Sequence, residues 1–481
     1  MSYLNHSNYG AALGMLAALR VNGQPFCWTF NVGTTHERKP IYGLRIHRGR
    51  AKSPRAVLIV GGAHAREMIP PEAVLLFAWK VCKSYVNGND FSFGNKTYPA
   101  GIATWLVEAL ELIVVPMLNP DGREWVETTD QNWRKNRRPG VTCRGVDINR
   151  NYDFLFTSGL NTSTSPCDYQ IYRGPSANSE PEVRAIRDLI DSRPNIRGIL
   201  DVHSFRGLIV YPWGDDQNQS NDPSVNFMDP AFDGQRGIKN DSYKEYIVSK
   251  DWRWYEQTAT RMRDRVKEVA GRTYIAQQAV DVYGTGISAS LVDYPYSLHL
   301  TNTARPKIMS MAVEIGFATD GEFWPKGAAA KMVRNEGAVL IVEFCLAMMC
   351  AGDAVLSSAA VAGSMADELR SIREKLQKSS AGRRYVEWFE VLGGEIMLRL
   401  LDSAVARDVS EVLKDFRKWW KRRDRALDDE TAQRATRLML HLRKRGSREF
   451  KNAINAAIAD VERMKGKPAS ATMSVIRARS N

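Results

Sequence analysis

Cysteine is scarce in this sequence, and its spacing does not resemble that of a structural zinc site. There are six cysteines among 481 residues, and no two of them form a Cys-x-x-Cys pair. Both a disulfide-rich scaffold and a zinc ribbon are therefore disfavoured. The six are Cys27, Cys82, Cys143, Cys167, Cys345 and Cys350.

Long uncharged apolar runs are also missing. The longest apolar run, residues 338–350, contains Glu343 and is followed by Asp353. It falls short of the about 18 uncharged residues that indicate a membrane span, so we predict a buried helix and no span. Near the amino terminus, residues 11–19 are apolar but interrupted by Gly14, and no basic segment precedes them. This pattern does not predict a signal peptide.

The net charge of +13 is unevenly distributed along the chain. Residues 352–481 hold 27 Lys/Arg and 18 Asp/Glu, so most of the excess belongs to the carboxy-terminal part. Small residues dominate around residues 352–366, which we interpret as a linker. We predict one large domain over residues 1–351 and a basic helical tail over residues 367–481.

The first 350 residues alternate β-branched runs with helical stretches, which is typical of an α/β fold with helices covering a sheet. The clearest predicted strands are residues 57–60, 112–115 and 199–202. In the tail, apolar residues recur at helical spacing, which predicts a small helical bundle or hairpin. They are Leu401, Val405, Val409, Val412, Phe416 and Trp419, and then Phe450, Ile454, Ala457 and Val461.

Three residues that can bind a metal ion follow two of these strands. His64 and Glu67 lie in residues 61–67 (GGAHARE), directly after the strand 57–60, and His203 follows the strand 199–202. Two histidines and one glutamate match catalytic zinc sites, which keep an open position for water. Taken singly, His203 is more simply a core histidine bonded to the backbone.

Further charged groups lie near these motifs in the sequence. Glu314 is embedded in an apolar strand, where an unpaired carboxylate is costly, and beside a zinc-bound water it could act as general base and acid. Residues 132–137 and 145–152 are rich in arginine and asparagine. A guanidinium there could stabilise an oxyanion or bind a carboxylate, although a solvated surface role is the commoner explanation for any single arginine.

From about residue 30 to residue 350 the sequence resembles the zinc carboxypeptidase family typified by pancreatic carboxypeptidases A and B. The resemblance implies a mixed central β-sheet flanked by helices, with residues 1–351 as the catalytic domain. The motifs that carry it are residues 33–35 (GTT), 39–42 (KPIY), 61–67, 119–122 (NPDG), 133–135 (WRK), 147–152 (DINRNY), 203–204 (HS), 211–212 (YP) and Glu314.

The resemblance implies specific catalytic roles. His64, Glu67 and His203 would bind one Zn²⁺ ion, and Glu314 would be the general base. Arg134 would stabilise the oxyanion of the tetrahedral intermediate. The expected activity is removal of the carboxy-terminal residue from peptides or proteins by a zinc-promoted water.

The resemblance also implies the residues that bind the substrate. Asn149 and Arg150 would hold its free carboxylate, Arg66 would be a secondary contact, and Tyr283 would match the mobile tyrosine over the site. After Tyr283 the spacing is longer than in the family, so the alignment is less regular there.

The expected specificity pocket follows from this alignment. Val292 would lie at its base, with Val210 and Ala312 facing it, which favours apolar or aromatic carboxy-terminal residues. Asp281 nearby leaves a preference for basic residues as the alternative.

Two supporting features are implied as well. Asp147 matches the residue that hydrogen-bonds a zinc-ligand histidine. Cys143 and Cys167 match a family disulfide, which, with the resemblance itself, implies an extracellular location.

Other functions remain open at the level of sequence. The same zinc site could serve a deglutamylase or a cell-wall peptidase. Alternatively, the chain could be a non-catalytic relative whose basic clusters, residues 418–425 and 443–445, bind nucleic acid, an acidic protein or an anionic membrane. Such clusters are more often solvated helix faces.

Overall fold

The structure is a computed structural model that describes most of the first 349 residues and part of the remainder. The described residues are 3–49, 54–219, 222–238, 240–349, 408–409, 411–412, 414–416, 418–419, 424, 426–444 and 448–468, without the side chains of 219, 282–283 and 448–450. The chain divides into two units, Met1–Met348 and Met349–Asn481. The predicted linker, residues 352–366, lies outside the described residues, and the predicted domain limits stay a prediction.

The first unit contains fourteen strands and nine α-helices within its described residues. The strands are β1 (Arg20–Val21), β2 (Gln24–Pro25), β3 (Cys27–Thr34), β4 (Pro40–Ile46), β5 (Arg55–Gly61), β6 (Phe91–Phe93), β7 (Lys96–Tyr98), β8 (Leu110–Val115), β9 (Ile196–His203), β10 (Leu208–Tyr211), β11 (Asn218–Gln219), β12 (Glu245–Tyr246), β13 (Ile275–Gln278) and β14 (Met309–Glu314). The helices are α1 (Tyr9–Ala17), α2 (Ile69–Asn87), α3 (Ala100–Ala109), α4 (Pro120–Thr128), α5 (Pro181–Ser192), α6 (Ser249–Ala270), α7 (Ala279–Tyr283), α8 (Tyr294–Thr301) and α9 (Gly327–Met348).

Eight of these strands form one mixed sheet in the order β13-β10-β14-β9-β5-β8-β4-β3. The central strands β14, β9, β5 and β8 run parallel, whereas β4 and β3 are antiparallel at one edge and β10 is antiparallel to β14. The predicted strands lie within β5, β8 and β9, and their near-complete burial agrees with their continuous apolar sequence. The predicted mixed α/β fold is confirmed.

Helices α2 and α9 pack against the central strands β5 and β9, and α6 packs against α9. The apolar run that ends the first unit is the buried second half of α9, as predicted. Its one charged residue, Glu343, accepts hydrogen bonds from the hydroxyl of Tyr98 (2.9 Å) and from Nε of Arg261 (3.1 Å). Among the described residues, no helix is both long enough and apolar enough to cross a membrane.

Among its described residues, the second unit includes the helices α10 (Asp429–Arg443) and α11 (Arg448–Met464). Asp428 caps α10 by accepting a hydrogen bond from the backbone N–H of Thr431 at 2.8 Å. A small apolar core joins the helices to the preceding segment and includes three residues of the predicted apolar faces, Val412, Trp419 and Val461. Leu401 and Val405 lie outside the described residues, as does the side chain of Phe450.

The ion pair between Arg261 in α6 and Glu343 in α9 gives a stability prediction. Replacing Arg261 with Met should lower the free energy of unfolding by about 3 kcal/mol, because Glu343 would remain buried without its closest guanidinium. Urea unfolding followed by circular dichroism measures the change. Arg263→Met on the exposed face of the same helix is the control and should change stability by less than about 0.5 kcal/mol. Equal effects of the two substitutions would contradict the explanation.

Candidate active site

The candidate site lies where three neighbouring parallel strands, β5, β9 and β14, end at the same edge of the sheet. His203 is the last residue of β9 and pairs in register with Glu314, the last residue of β14. On the other side of β9, Gly61 at the end of β5 pairs with Val202, and His64 follows three residues later. The register therefore brings together residues that are far apart in sequence, at the edge where α/β sheets usually bind ligands.

His64, Glu67 and His203 converge on one point. The two Nδ1 atoms of the histidines are 3.0 Å apart, and the carboxylate oxygens of Glu67 lie 2.7 Å from Nδ1 of His64 and 3.1 Å from Nδ1 of His203. One possible ligand atom from each residue lies within 4.8 Å of the others, and all three residues are buried. Two imidazole nitrogens and one carboxylate in this arrangement fit a zinc ion with an open fourth position.

The opposite nitrogen of each imidazole faces a buried carboxylate. Nε2 of His64 lies 3.1 Å from Oδ1 of Asp147, and Nε2 of His203 lies 2.7 Å from Oδ2 of Asp201. Such partners hold the ring proton on Nε2 and leave Nδ1 available to a metal ion. The sequence analysis predicts this role for Asp147 but does not identify Asp201. Its position two residues before His203 on a strand, which places both side chains on one face, was the available signal.

Glu67 is held by groups outside the histidine pair. Its Oε2 accepts a hydrogen bond from the backbone N–H of Ser204 at 3.1 Å. Burial raises the pKa of Glu67, but the neighbouring charges of His64 and His203 outweigh this effect and hold the pKa below its usual range. Glu67 therefore stays ionised and available as a ligand.

Glu314 lies beside this group at the end of β14 and is only partly buried. Burial and the negative charge of Glu67 raise the pKa of Glu314 above its ordinary value. A carboxylate with a raised pKa is a stronger base, and Glu314 is next to the point where the metal ligands converge.

Arg134 lies next to the ligand group. Its Nε and Nη2 donate to Oδ2 of Asp147 at 3.1 and 3.0 Å, and its Nη1 is 4.0 Å from Oε1 of Glu67. The paired hydrogen bonds fix the guanidinium plane, so that a positive charge stands next to the candidate metal position.

Asn149 and Arg150 belong to a short 3₁₀ helix, Ile148–Arg150, which Asp147 caps by accepting from the N–H of Asn149 at 3.0 Å. Nδ2 of Asn149 is 3.3 Å from Nε2 of His203, and its Oδ1 accepts from the N–H of Leu291 at 2.7 Å. Arg150 donates to the carbonyl of Asn161 at 2.9 Å and to that of Asn149 at 2.7 Å. Asn149 thus contacts a candidate zinc ligand, and the Arg150 guanidinium is oriented by the backbone.

The residues predicted for the specificity pocket lie together. Val292, Val210 and Ala312 belong to one buried apolar cluster, together with Leu208 and Ala279. Asp281 instead accepts a hydrogen bond from Nε2 of Gln217 at 3.3 Å.

Tyr283 and Arg66 are the two other predicted substrate contacts, and the structure describes the side chain of Arg66 alone. Tyr283 is the last residue of α7, but its side chain lies outside the described residues. Arg66 donates to Oε1 of Gln170 at 2.8 Å and stacks over the ring of Phe323, 4.3 Å from its centroid. These two contacts fix the orientation of the Arg66 guanidinium.

The predicted disulfide between Cys143 and Cys167 is present, with the two Cα atoms 5.0 Å apart. The disulfide connects the segment before Asp147 to the segment that contains Asp168. The carbonyl of Asp168 accepts a hydrogen bond from Nζ of Lys135 at 2.5 Å. The loop that carries Arg134 and Asn149 is thereby cross-linked at two points.

Comparison with known sequences finds relatives among carboxypeptidases A. Human carboxypeptidase A1 is 36% identical over 186 residues, which are 38% of this chain and 41% of the relative. Rat carboxypeptidase A2 is 37% identical with the same coverage. The matched region thus spans about two fifths of the length of these relatives.

Comparison with solved structures agrees at the level of the fold. Bovine thrombin-activatable fibrinolysis inhibitor, in its complex with tick carboxypeptidase inhibitor, aligns with a TM-score of 0.54 and 20% identity over 72% of this chain and 96% of that one. Carboxypeptidase A from Helicoverpa armigera gives 0.52 and 21%, over 75% of each chain. The family model for zinc carboxypeptidases matches residues 15–336, more than half of the chain. The chain therefore belongs to the zinc carboxypeptidase family, Peptidase M14.

Proposed function

We propose that this chain is a zinc-dependent carboxypeptidase that hydrolyses the last peptide bond of a peptide or protein substrate. The observation that carries the proposal is the convergence of His64, Glu67 and His203 beside Glu314 at one edge of the sheet. Membership of the zinc carboxypeptidase family supports it.

The residues present fit a zinc ion. His64 and His203 would hold it through Nδ1, because a carboxylate faces Nε2 of each ring, and Glu67 would supply an oxygen. Bound zinc supplies a Lewis acid that lowers the pKa of water and polarises a carbonyl group. Asp147 and Asp201 keep both rings in the tautomer that leaves Nδ1 available.

Glu314 would act as general base and then as general acid. Its raised pKa suits it to accept a proton from the attacking water and to pass this proton to the leaving amine. The strand register supports this role, since Glu314 is directly opposite His203.

Arg134 would stabilise the negative charge that develops on the carbonyl oxygen, because its guanidinium is held next to Glu67. Asn149 and Arg150 would bind the free carboxylate of the substrate, a requirement that restricts cleavage to the last bond. Arg66 and Tyr283 would contact the substrate nearer the entrance.

The pocket chemistry favours apolar or aromatic carboxy-terminal side chains. Val292, Val210 and Ala312 form an apolar cluster with Leu208 and Ala279. Burying an aromatic side chain there would contribute about 2 kcal/mol to substrate binding. The disulfide between Cys143 and Cys167 favours an oxidising, extracellular location.

Replacing Glu314 with Gln tests the general base. We expect kcat to fall by about 100- to 10,000-fold on a blocked dipeptide ending in Phe, because the amide cannot accept the proton. Zinc content, measured by atomic emission, should stay at the native level. The exposed Glu322→Gln is the control and should leave kcat unchanged. Native activity in Glu314→Gln would exclude this residue as the base.

Replacing His203 with Gln tests the ligand set. Zinc content at the catalytic centre should be lost, and activity should fall to background and not return when zinc is added back. The native chain treated with a chelator should regain its activity on addition of zinc, because its ligands are intact. A His203→Gln variant that retains zinc-dependent activity would contradict the assignment.

Val292→Asp tests the specificity pocket. The native chain should prefer Phe-ended over Arg-ended dipeptides by about 10-fold or more in kcat/KM, and a carboxylate at this position should reverse the order. Val292→Leu should keep the native order. Faster release of Arg by the native chain would instead favour Asp281 as the selecting residue, and faster release of Glu would favour a deglutamylase.

A further inference from the structure

A second group of metal-binding residue types lies outside the candidate active site. His36, Glu180 and Glu182 each offer one ligand atom, and these atoms lie within 4.8 Å of one another. His36 lies in the turn between β3 and β4, Glu180 precedes α5, and Glu182 is in the first turn of that helix. Both glutamates are fully buried, and the side chain of His36 is 20% exposed. An ion could therefore reach the group from the histidine side.

One amide group orients both carboxylates. Nδ2 of Asn136 donates to Oε2 of Glu180 at 2.8 Å and to Oε2 of Glu182 at 2.9 Å. Its Oδ1 accepts from the backbone N–H groups of Val146 and Arg138, which fixes the amide in this orientation. Two buried carboxylates consequently point at the same place.

His36 completes the group. Its Nε2 is 2.9 Å from Oε2 of Glu180. The turn that carries His36 is rigid, because Asp121 accepts hydrogen bonds from Oγ1 of Thr35 at 2.7 Å and from the N–H of Glu37 at 2.8 Å. The residues directly before and after His36 are therefore both fixed by hydrogen bonds to Asp121, which sets the position of the imidazole.

The two glutamates differ in how their charges are balanced. Oε1 of Glu180 accepts from Arg138 at 2.8 Å and from the hydroxyl of Ser179 at 2.7 Å. Oε1 of Glu182 is buried and has no hydrogen-bond partner, and no arginine or lysine of the described residues pairs with this side chain. Burial raises the pKa of Glu182 to about 7. A buried polar atom without a partner requires an explanation, and a bound ion is one that also supplies the missing positive charge.

We propose that His36, Glu180 and Glu182 form a second site for a divalent transition-metal ion, with zinc as the expected occupant. One imidazole and two carboxylates are a donor set that zinc accepts, and the imidazole disfavours calcium and magnesium, which prefer oxygen ligands. In this site the unpartnered Oε1 of Glu182 becomes a ligand. Arg138 balances the charge of Glu180, and the ion offsets the charge of the second carboxylate.

The site would have a structural role. It joins the turn after β3, the start of α5 and, through Asn136, the loop that carries Arg134 two residues earlier. Metal binding at the three joined segments should stabilise the folded state, because the unfolded chain does not present the ligands together.

Zinc stoichiometry of the full chain tests the proposal. Each protein is equilibrated with zinc chloride, freed of unbound metal by gel filtration and analysed by atomic emission. The native chain should hold about two zinc ions, and His36→Gln and Glu182→Gln should each hold about one, because a single lost ligand removes a three-ligand site. Added zinc should raise the thermal midpoint of the native chain more than that of either variant.

His6→Gln is the matched control. His6 also lies against two glutamates, 3.3 Å from Glu124 and 2.6 Å from Glu127, but the side chains of these glutamates are 38% and 19% exposed, whereas Glu180 and Glu182 are fully buried. It should retain the native zinc content. Equal zinc content in the native chain and His36→Gln would overturn the proposal, as would a Glu182→Gln variant with native zinc content, which would show that Glu182 is a neutral buried acid. The zinc contents of these variants are measured without an activity assay, and the His203→Gln variant separately measures loss of the catalytic ion.

Discussion

The buried carboxylate of Asp147 is the interaction on which most of the candidate site depends. Its two oxygens contact the imidazole of His64, the guanidinium of Arg134 and the backbone N–H of Asn149. Burial raises the pKa of Asp147, but the charges of Arg134 and His64 hold it well below its usual range, so it remains ionised. One fixed negative charge therefore orients a candidate zinc ligand, a candidate oxyanion group and the 3₁₀ helix that carries the candidate carboxylate-binding residues.

Buried carboxylates with fixed partners recur throughout the first unit. Asp201 orients His203, Asp121 fixes the turn that carries His36, and Glu343 accepts hydrogen bonds between α6 and α9. Each of these three carboxylates is buried, where an unpaired charge would destabilise the fold. Asp201 and Glu182 each have one buried oxygen without a hydrogen-bond partner, but Asp201 pairs with His203, whereas the side chain of Glu182 accepts from the neutral amide of Asn136.

The sheet gives the site its geometry. Parallel pairing of β5, β9 and β14 sets the positions of His64, His203 and Glu314 within one edge, and the disulfide holds the loop that brings Arg134 and Asn149 over them. Strands buried on both faces tolerate little movement, because their side chains are closely packed. The candidate zinc ligands therefore lie at the ends of buried strands, and the candidate residues Arg134 and Asn149 lie on a cross-linked loop.

The sequence by itself determined the α/β class, three central strands, the buried final helix and, through its motifs, the family and its paired cysteines. These features follow from local hydrophobic patterns and from short motifs that are contiguous in the chain. Only the tertiary structure showed that His36 meets Glu180 and Glu182, and that the amide of Asn136 donates to both of these carboxylates. These contacts depend on strand register and on loops that join distant segments, and no local pattern in the chain specifies them.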